Sequence, residues 1–142
     1  MAATKESPVS CTIDGVTFTA AEAAFVMEAG VSQDGLPHHG KPPTSTHLRI
    51  NLGNGSCNFQ TIQKLFELGK KPSMDNIKQV KLEFWVSLSN KNTTCSFTYK
   101  GWISSFRTSF LGPGNTTFNH VLDIVITTDI SQASFAEFDI GN

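Results

Sequence analysis

The second half of the chain alternates between apolar and polar residues almost without interruption, and this pattern restricts the fold more than any other feature. Successive side chains of a β-strand point to opposite faces of the sheet, so strict alternation predicts half-buried strands. Apolar residues occupy every second position in 80–88 and 95–100. Alternation of the same period, less strictly kept, continues in 102–110 and 118–127, and Gly101 lies between the second and third of these segments. A short strand at 134–140 closes the pattern.

The first half opens with a hairpin. Asp14-Gly15 separates two alternating arms, and this dipeptide favours a type I′ turn, whose two central residues need positive φ. The segment 20–31 follows. Its Ala and Glu residues are compatible with a helix, but it is short, ends near Gly30 and contains Phe25. We interpret it as a strand, with a helix as the open alternative. Another alternating strand occupies 47–52.

An irregular segment, 32–45, lies between these strands. It contains three Pro and two Gly in fourteen residues. Because Pro removes backbone donors and Gly adds backbone freedom, regular structure is excluded here. Irregular segments of this length inside a compact domain are commonly functional or disordered. The sequence therefore predicts an extended loop over 32–45.

One segment has helical periodicity. Its apolar residues form a stripe at a spacing near 3.6 residues, which is typical of an amphipathic helix. Ser56 or Asn58 can cap its beginning, Gly69 is expected at the C′ position, and Pro72 stops it. The stripe consists of Phe59, Ile62, Leu65, Phe66 and Leu68.

These elements predict a mainly β fold, an antiparallel barrel or sandwich of about seven or eight strands with one packed α-helix. The chain has 142 residues, which is one domain's worth of sequence and is long enough to bury a core without metals or disulfides. We predict a single domain over 1–142, with 1–8 as a flexible N-terminus.

Charge and hydropathy exclude several classes of protein. Only 16% of the residues are charged, against about 25% in an average domain. The 11 basic residues balance 12 acidic ones and form no block, which argues against nucleic acid as a partner. No apolar run approaches membrane-spanning length, and Met1 to Ser10 contains no apolar signal region, so neither membrane insertion nor a classical secretory signal is predicted.

Residues that could carry catalysis are sparse. The four His form no metal-binding motif, and no G-x-S-x-G nucleophile motif occurs. Glu137 and Asp139 share a strand face, as many surface pairs do. Cys11, Cys57 and Cys95 show no metal-binding spacing; we interpret them as small semi-buried apolar residues, with one disulfide plus a free thiol as the alternative. We therefore predict no enzymatic activity, no cofactor and no metal.

Trp85 lies on the polar side of its predicted strand. Its ring should point outward unless the helix covers that face. An outward aromatic ring suits either an oligomer contact or a carbohydrate platform. The alternative function is accordingly a monomeric β-sandwich that binds carbohydrate or another ligand, with Trp85, Trp102 or Tyr99 as stacking platforms.

The order of elements, together with several short segments, resembles the tail-tube fold of the haemolysin-coregulated proteins (Hcp) of type VI secretion and of related contractile injection tubes. The segment 11–18, Cys-Thr-Ile-Asp-Gly-Val-Thr-Phe, is similar to the strand pair that opens the divergent, Bacteroidetes-type branch. The resemblance continues in the segments 31–37, 46–52, 101–110, 112–115 and 119–127.

This resemblance implies a non-catalytic subunit that assembles into hexameric rings, with sheets joined edge to edge and the long loop reaching the next ring. Its implied partners are further copies of the chain and the sheath, spike or effector proteins of an injection machine. The protein would be cytoplasmic on synthesis and exported by that machine without a signal peptide. Trp85 and Arg107 are candidate subunit contacts. The candidate inter-ring contacts are Gly35, Leu36, Pro37, Lys41 and Pro42.

Overall fold

The structure, a computed structural model, describes residues 9–36, 42–52, 58–88, 91–110, 120–131 and 134–141. The predicted fold class is confirmed: eight antiparallel strands form one sheet, accompanied by one α-helix. The segment left open between helix and strand is a strand, β3. The elements are β1 (Val9–Ile13), β2 (Val16–Ala20), β3 (Glu22–Met27), β4 (Thr44–Asn51), α1 (Phe59–Lys70), β5 (Lys78–Leu88), β6 (Lys91–Phe110), β7 (His120–Thr128) and β8 (Ala136–Gly141), with a 3-10 turn at Met74–Asn76.

The sheet wraps around one shared interior as a barrel, with chain continuity at Ala21 rather than a described β2–β3 pairing at the seam. Its strand order is β2-β1-β5-β6-β7-β4-β3, with β8 added to one side of β6. Only Ala21 separates β2 from β3, and its N–H donates to the carbonyl oxygen of Arg49 at 2.8 Å. The chain therefore bends at Ala21 and joins the two ends of the strand order. Closure of this kind leaves fewer sheet edges for unwanted pairing.

The longest strand is β6. The alternating segments 95–100 and 102–110 both belong to this one strand of 20 residues. Gly101 does not interrupt it: a Cβ there would lie 2.8 Å from Ile126 Cγ2, so glycine is needed for close packing. The irregularity comes later, as a β-bulge in which Ser104 has no partner on β7. The bulge places Ile103 and Phe106 on the same, inner face.

The barrel interior is filled by the alternate residues of its strands. A fully buried Leu, Ile or Phe side chain contributes about 1.5–3 kcal/mol relative to an exposed one, so the buried side chains of the interior supply most of the stability. Cys11 and Cys95 are buried free thiols, as expected of small apolar residues, and Cys57 lies outside the described residues. The largest fully buried side chains include Ile13, Ile50, Leu65, Val80, Leu122, Ile124 and Ile126.

Helix α1 covers one end of the barrel. Asn58 is its N-cap, with Oδ1 accepting a hydrogen bond from the Thr61 N–H at 2.7 Å. Leu65 and Leu68 are buried, and Phe66 packs edge-on against Phe106 of β6. Two expectations were wrong: Phe59 is 90% exposed, and Gly69 lies inside the last turn. A Cβ at Gly69 would lie 3.2 Å from Ile103 Cγ2, so the helix passes close to β6 at this point.

The opposite end of the barrel is lined by aromatic rings that are only partly covered. Phe97 of β6 stacks on Phe25 of β3 at 4.5 Å between ring centroids, and it also contacts Phe138 of β8 at 4.6 Å. β8 pairs with residues 94–99 of β6, whose other side pairs with β5, and we call β8 together with these β6 residues the β6–β8 ribbon. This ribbon continues the sheet beyond the filled interior.

None of the described helices is both long and apolar enough to cross a membrane.

Candidate subunit interfaces

The long loop contains an ordered turn. Gly35 has a φ of +82°, which strongly favours glycine, and its N–H donates to the carbonyl oxygen of Ser32 at 2.9 Å. The Asp34 carboxylate accepts hydrogen bonds from the Ser32 hydroxyl and the Leu36 N–H, which lower the pKa of Asp34. The turn thereby holds Leu36 outward, 60% exposed.

The rest of the predicted loop is only partly described. β4 begins at Thr44, so the irregular segment ends two residues earlier than the 32–45 expected from the sequence. Pro42 is half-buried, and its carbonyl oxygen accepts a hydrogen bond from the Thr44 hydroxyl. Pro37 and Lys41 lie outside the described residues, as does the predicted flexible segment 1–8. The contact roles of all five loop residues remain predictions.

Trp85 points away from the barrel interior. Its side chain is 57% exposed on β5, opposite Thr94 of β6. The helix does not cover this face, so the outward orientation expected from the alternation is the correct one. Trp102 is half-buried. Tyr99 was also considered as a stacking platform, but it is buried and its hydroxyl bonds to that of Thr46. Burial raises the pKa of Tyr99, which keeps it neutral.

Arg107 belongs to a row of charges that crosses four strands on the outer face of the barrel. Glu22, Arg49, Asp123 and Arg107 lie directly opposite one another on β3, β4, β7 and β6. Arg49 contacts Asp123 at 3.0 Å and Glu22 at 3.7 Å, and these contacts raise the pKa of the Arg49 guanidinium. Asp123 is thus occupied by Arg49.

Arg107 is left without an ionic partner among the residues that the structure describes. It is exposed beside a shallow depression of about 410 Å³ whose floor includes Ala24, Ser105 and Val125. These side chains are small and leave space beside the Arg107 guanidinium, which is therefore accessible from outside.

Within the described residues, β6 and β8 each have an edge that no strand pairs, in addition to the outer edges of β2 and β3 at the two ends of the strand order. From Trp102 to Phe110, β6 pairs with β7 on one side, and no described strand pairs with its other side. β8 likewise pairs with β6 alone within the described ranges. Unpaired strand edges present backbone donors and acceptors that another strand can use. No local pattern indicates these edges, because alternation shows which residues form strands but not which strands are neighbours.

The two faces of β8 differ in character. Glu137 and Asp139 lie on the outer face, opposite Thr98 and Ser96 of β6, and both are exposed. Phe138 and Ile140 lie on the inner face and are 49% and 60% exposed. Large apolar side chains exposed to this extent on one strand indicate a surface that a partner covers.

The described residues contain no cluster that could hold a metal ion, and the Cys11 thiol is not activated. Within those ranges, no group of three or more His, Cys, Asp or Glu lies close enough to hold a metal ion. Burial raises the pKa of the Cys11 thiol to about 12, so this group is not a nucleophile at neutral pH. The absence of enzymatic activity nevertheless remains a prediction.

Comparison with known proteins places the fold. Hcp1 from Flavobacterium johnsoniae has a similar structure, with a TM-score of 0.60 and 14% sequence identity over 94% of each chain. A second solved Hcp protein gives a TM-score of 0.50 at 10% identity, covering 93% of this chain and 98% of that one. No protein-family model and no curated protein matches the sequence. The chain therefore has an Hcp-like fold, and the resemblance inferred from the sequence is confirmed at that level.

Proposed function

We propose that this protein is a structural subunit that assembles into rings, and through stacked rings into a tube, in a contractile injection apparatus of the type VI secretion or phage-tail kind. The Hcp-like fold supports this proposal. The observation that carries it is the pair of free edges, one on β6 and one on β8. A chain with two different unpaired edges can join its neighbours head to tail, and such contacts close into rings.

Strand direction is compatible with this assembly. In a ring, rotation about the central axis relates the subunits, so strands that run roughly along that axis keep their direction. β8 is antiparallel to β6 of its own chain. It would therefore also be antiparallel to β6 of the next copy, which is the arrangement that extends an antiparallel sheet. The ring that we propose is a hexamer.

The composition of the surface supports the same conclusion. With 16% charged residues, few charges would have to be desolvated when copies pack together. The ordered turn at Gly35 and Leu36, with Pro37, Lys41 and Pro42, would contact the adjacent ring. The sheath, spike or effector proteins of the machine would be the other partners. On this proposal the protein is cytoplasmic when made and leaves the cell through the machine.

The oligomeric state provides the direct test. We expect light scattering after size-exclusion chromatography to give a mass that rises with concentration to about six times the 15.4 kDa of the chain. Negative-stain micrographs of the same sample should show rings or short tubes. A monomer at every accessible concentration, with no rings on the grid, would contradict the proposal.

The exposure of Trp85 favours a second candidate, a monomeric β-domain that binds carbohydrate. Tryptophan rings at a protein surface can stack on sugar rings. Fluorescence titration with glycans separates the candidates, provided that the signals of the two tryptophans are resolved. The Trp102→Phe variant leaves Trp85 as the reporter, and Trp85→Phe is its matched control. A saturable shift in the first variant only, from a protein that stays monomeric, would favour the carbohydrate-binding function.

A further inference from the structure

The two free edges carry side chains of matching character on matching faces. On the outer face, the β6 edge presents Arg107 and β8 presents Glu137 and Asp139. On the inner face, the β6 edge presents Phe106 and β8 presents Phe138. The outer faces of the two edges thus carry charges of opposite sign, and the inner faces both carry an aromatic ring.

The charges on the two edges have no ionic partner in the part of the chain that the structure describes. Within the described residues, Arg107, Glu137 and Asp139 take part in no ion pair, whereas charged neighbours in the same sheet do. Arg49 holds Asp123, the residue opposite Arg107, and Lys81 contacts Glu83 at 3.3 Å on the strand next to the ribbon. Positive charge is therefore available at one edge and negative charge at the other.

The aromatic groups on the inner face are also incompletely covered. Phe138 packs against Phe97 yet remains 49% exposed. On the other edge, Phe66 of the helix lies edge-on to Phe106 at 5.6 Å between centroids and is 47% exposed. Each edge thus carries an aromatic pair that is partly exposed, and a second aromatic pair can pack against the exposed side.

We propose that β8 of one copy pairs with the β6 edge of the next copy in a register that sets Glu137 against Arg107 and Phe138 against Phe106. This inference rests on the proposed function, which supplies the second copy. In an antiparallel pair of strands, the two residue numbers of every opposed pair have the same sum. The outer-face residues of both strands carry odd numbers here, so the two outer faces lie on the same side of the sheet only when that sum is even. A shift by one residue would place Phe138 on the polar face, and registers of that kind are excluded.

Two registers satisfy this parity condition near Arg107. The first pairs Arg107 with Glu137 and Phe106 with Phe138. The second pairs Arg107 with Asp139 and sets Phe138 against Thr108, a polar residue. The first register is favoured because it brings the two aromatic pairs into contact. An Arg–carboxylate pair at a partly desolvated junction also restricts the register, because alignments that place Arg107 opposite neither Glu137 nor Asp139 lose that pair.

Charge reversal on either edge tests the contact. One variant is Arg107→Glu, and the other combines Glu137→Lys with Asp139→Lys. Each alone sets like charges against each other at every junction, and we expect self-association to weaken about a hundredfold or more. When the two variants are mixed, every junction between unlike variants carries opposite charges again. The mass measured by light scattering should then recover, in alternating assemblies.

Two comparisons make the result decisive. Lys71→Glu produces the same change of net charge as Arg107→Glu at an exposed site after the helix, and it should assemble like the parent protein. Circular dichroism of each variant should show the parent strand content, which separates loss of contact from loss of folding. Assembly of both charge variants with parent strength, or failure of the mixture to recover, would overturn the pairing while leaving the ring proposal intact. A parent protein that never assembles would remove the proposed function itself.

Disulfide capture distinguishes the registers. In the favoured register Ser105 lies opposite Asp139, so Ser105→Cys combined with Asp139→Cys should give a ladder of cross-linked chains on a non-reducing gel. Directly opposed residues are about 4.5–5.5 Å apart between Cα atoms, which is within the range of disulfide geometry. The matched pair Ser109→Cys with Glu137→Cys is opposed only in the second register. Cross-linking of this pair instead of the first would overturn the assignment of Arg107 to Glu137.

Discussion

The filled barrel and the β6–β8 ribbon are built from the same kind of sequence, yet they bury their apolar residues to very different extents. Ile50 of β4 is completely buried, whereas Ile140 of β8 is 60% exposed. Both residues lie on the inner face of alternating strands. The difference arises because the barrel wraps its inner face around a common interior, while no described element covers the inner face of β8. Within the ribbon, Cys95 and Tyr99 of β6 are buried, so the low contribution to stability is expected of the exposed side chains of β8.

Matched truncation of these two isoleucines gives the largest expected difference. Ile50→Ala should lower the free energy of unfolding by about 2–5 kcal/mol, because it leaves a cavity in a packed interior. Ile140→Ala should lower it by less than about 1 kcal/mol, because water already reaches that side chain. Urea unfolding at a concentration where the protein is monomeric measures both. Equal losses would show that the ribbon is part of the core.

Tyr99→Phe tests the boundary between the two regions. Tyr99 is buried on β6 where β8 begins to pair, and its hydroxyl bonds to that of Thr46, which is fully buried. Removing the hydroxyl should cost about 1–3 kcal/mol, because the Thr46 hydroxyl is left without a partner. Adding Thr46→Val removes that unpaired group and should restore part of the loss. If the double variant is no more stable than the single one, the hydrogen bond is not the cause.

The helix that closes the barrel should depend on its N-cap. Asn58→Ala removes the acceptor of the Thr61 N–H and should destabilise the protein by about 1 kcal/mol, as measured by thermal unfolding. Asn58→Asp keeps an acceptor and should retain most of the stability. A loss as large in Asn58→Asp as in Asn58→Ala would show that the amide group serves a purpose other than capping.

Thiol labelling should detect the smallest effect, local opening of the ribbon. Cys95 lies on β6 beside β8, directly opposite Ile140, and Cys11 lies in the barrel interior; both are buried. In a Cys57→Ser background, Cys95 should react with a thiol reagent faster than Cys11, because β8 can detach without global unfolding. Ile140→Ala should increase the rate at Cys95 only. A matching increase at Cys11 would mean that both thiols become accessible through one cooperative opening.

Much of the fold was predictable from local sequence, because alternation, the Asp14-Gly15 turn and the helical stripe are local signals. The properties that depend on distant residues were not. The charge row at Arg107 needs the register of four strands, and the free edges need the strand order. Phe59 shows the same limit: its position in the stripe predicted burial, but the helix covers only one end of the barrel and leaves that side chain in solvent.

The bulge at Ser104 has a consequence for how this strand can change in length. Ser104 has no partner on β7, yet its hydroxyl donates to the Val125 carbonyl oxygen at 3.2 Å and accepts from the Thr127 hydroxyl at 2.7 Å. Ile103 and Ser105 face the consecutive residues Ile126 and Val125, so Ser104 is one residue more than the partner strand needs. Deleting Ser104 would therefore leave a regular strand, with Arg107 still on the outer face and Phe106 still on the inner face. Loss of a single residue is thus compatible with the register at this site, although it would remove the two hydroxyl hydrogen bonds to β7.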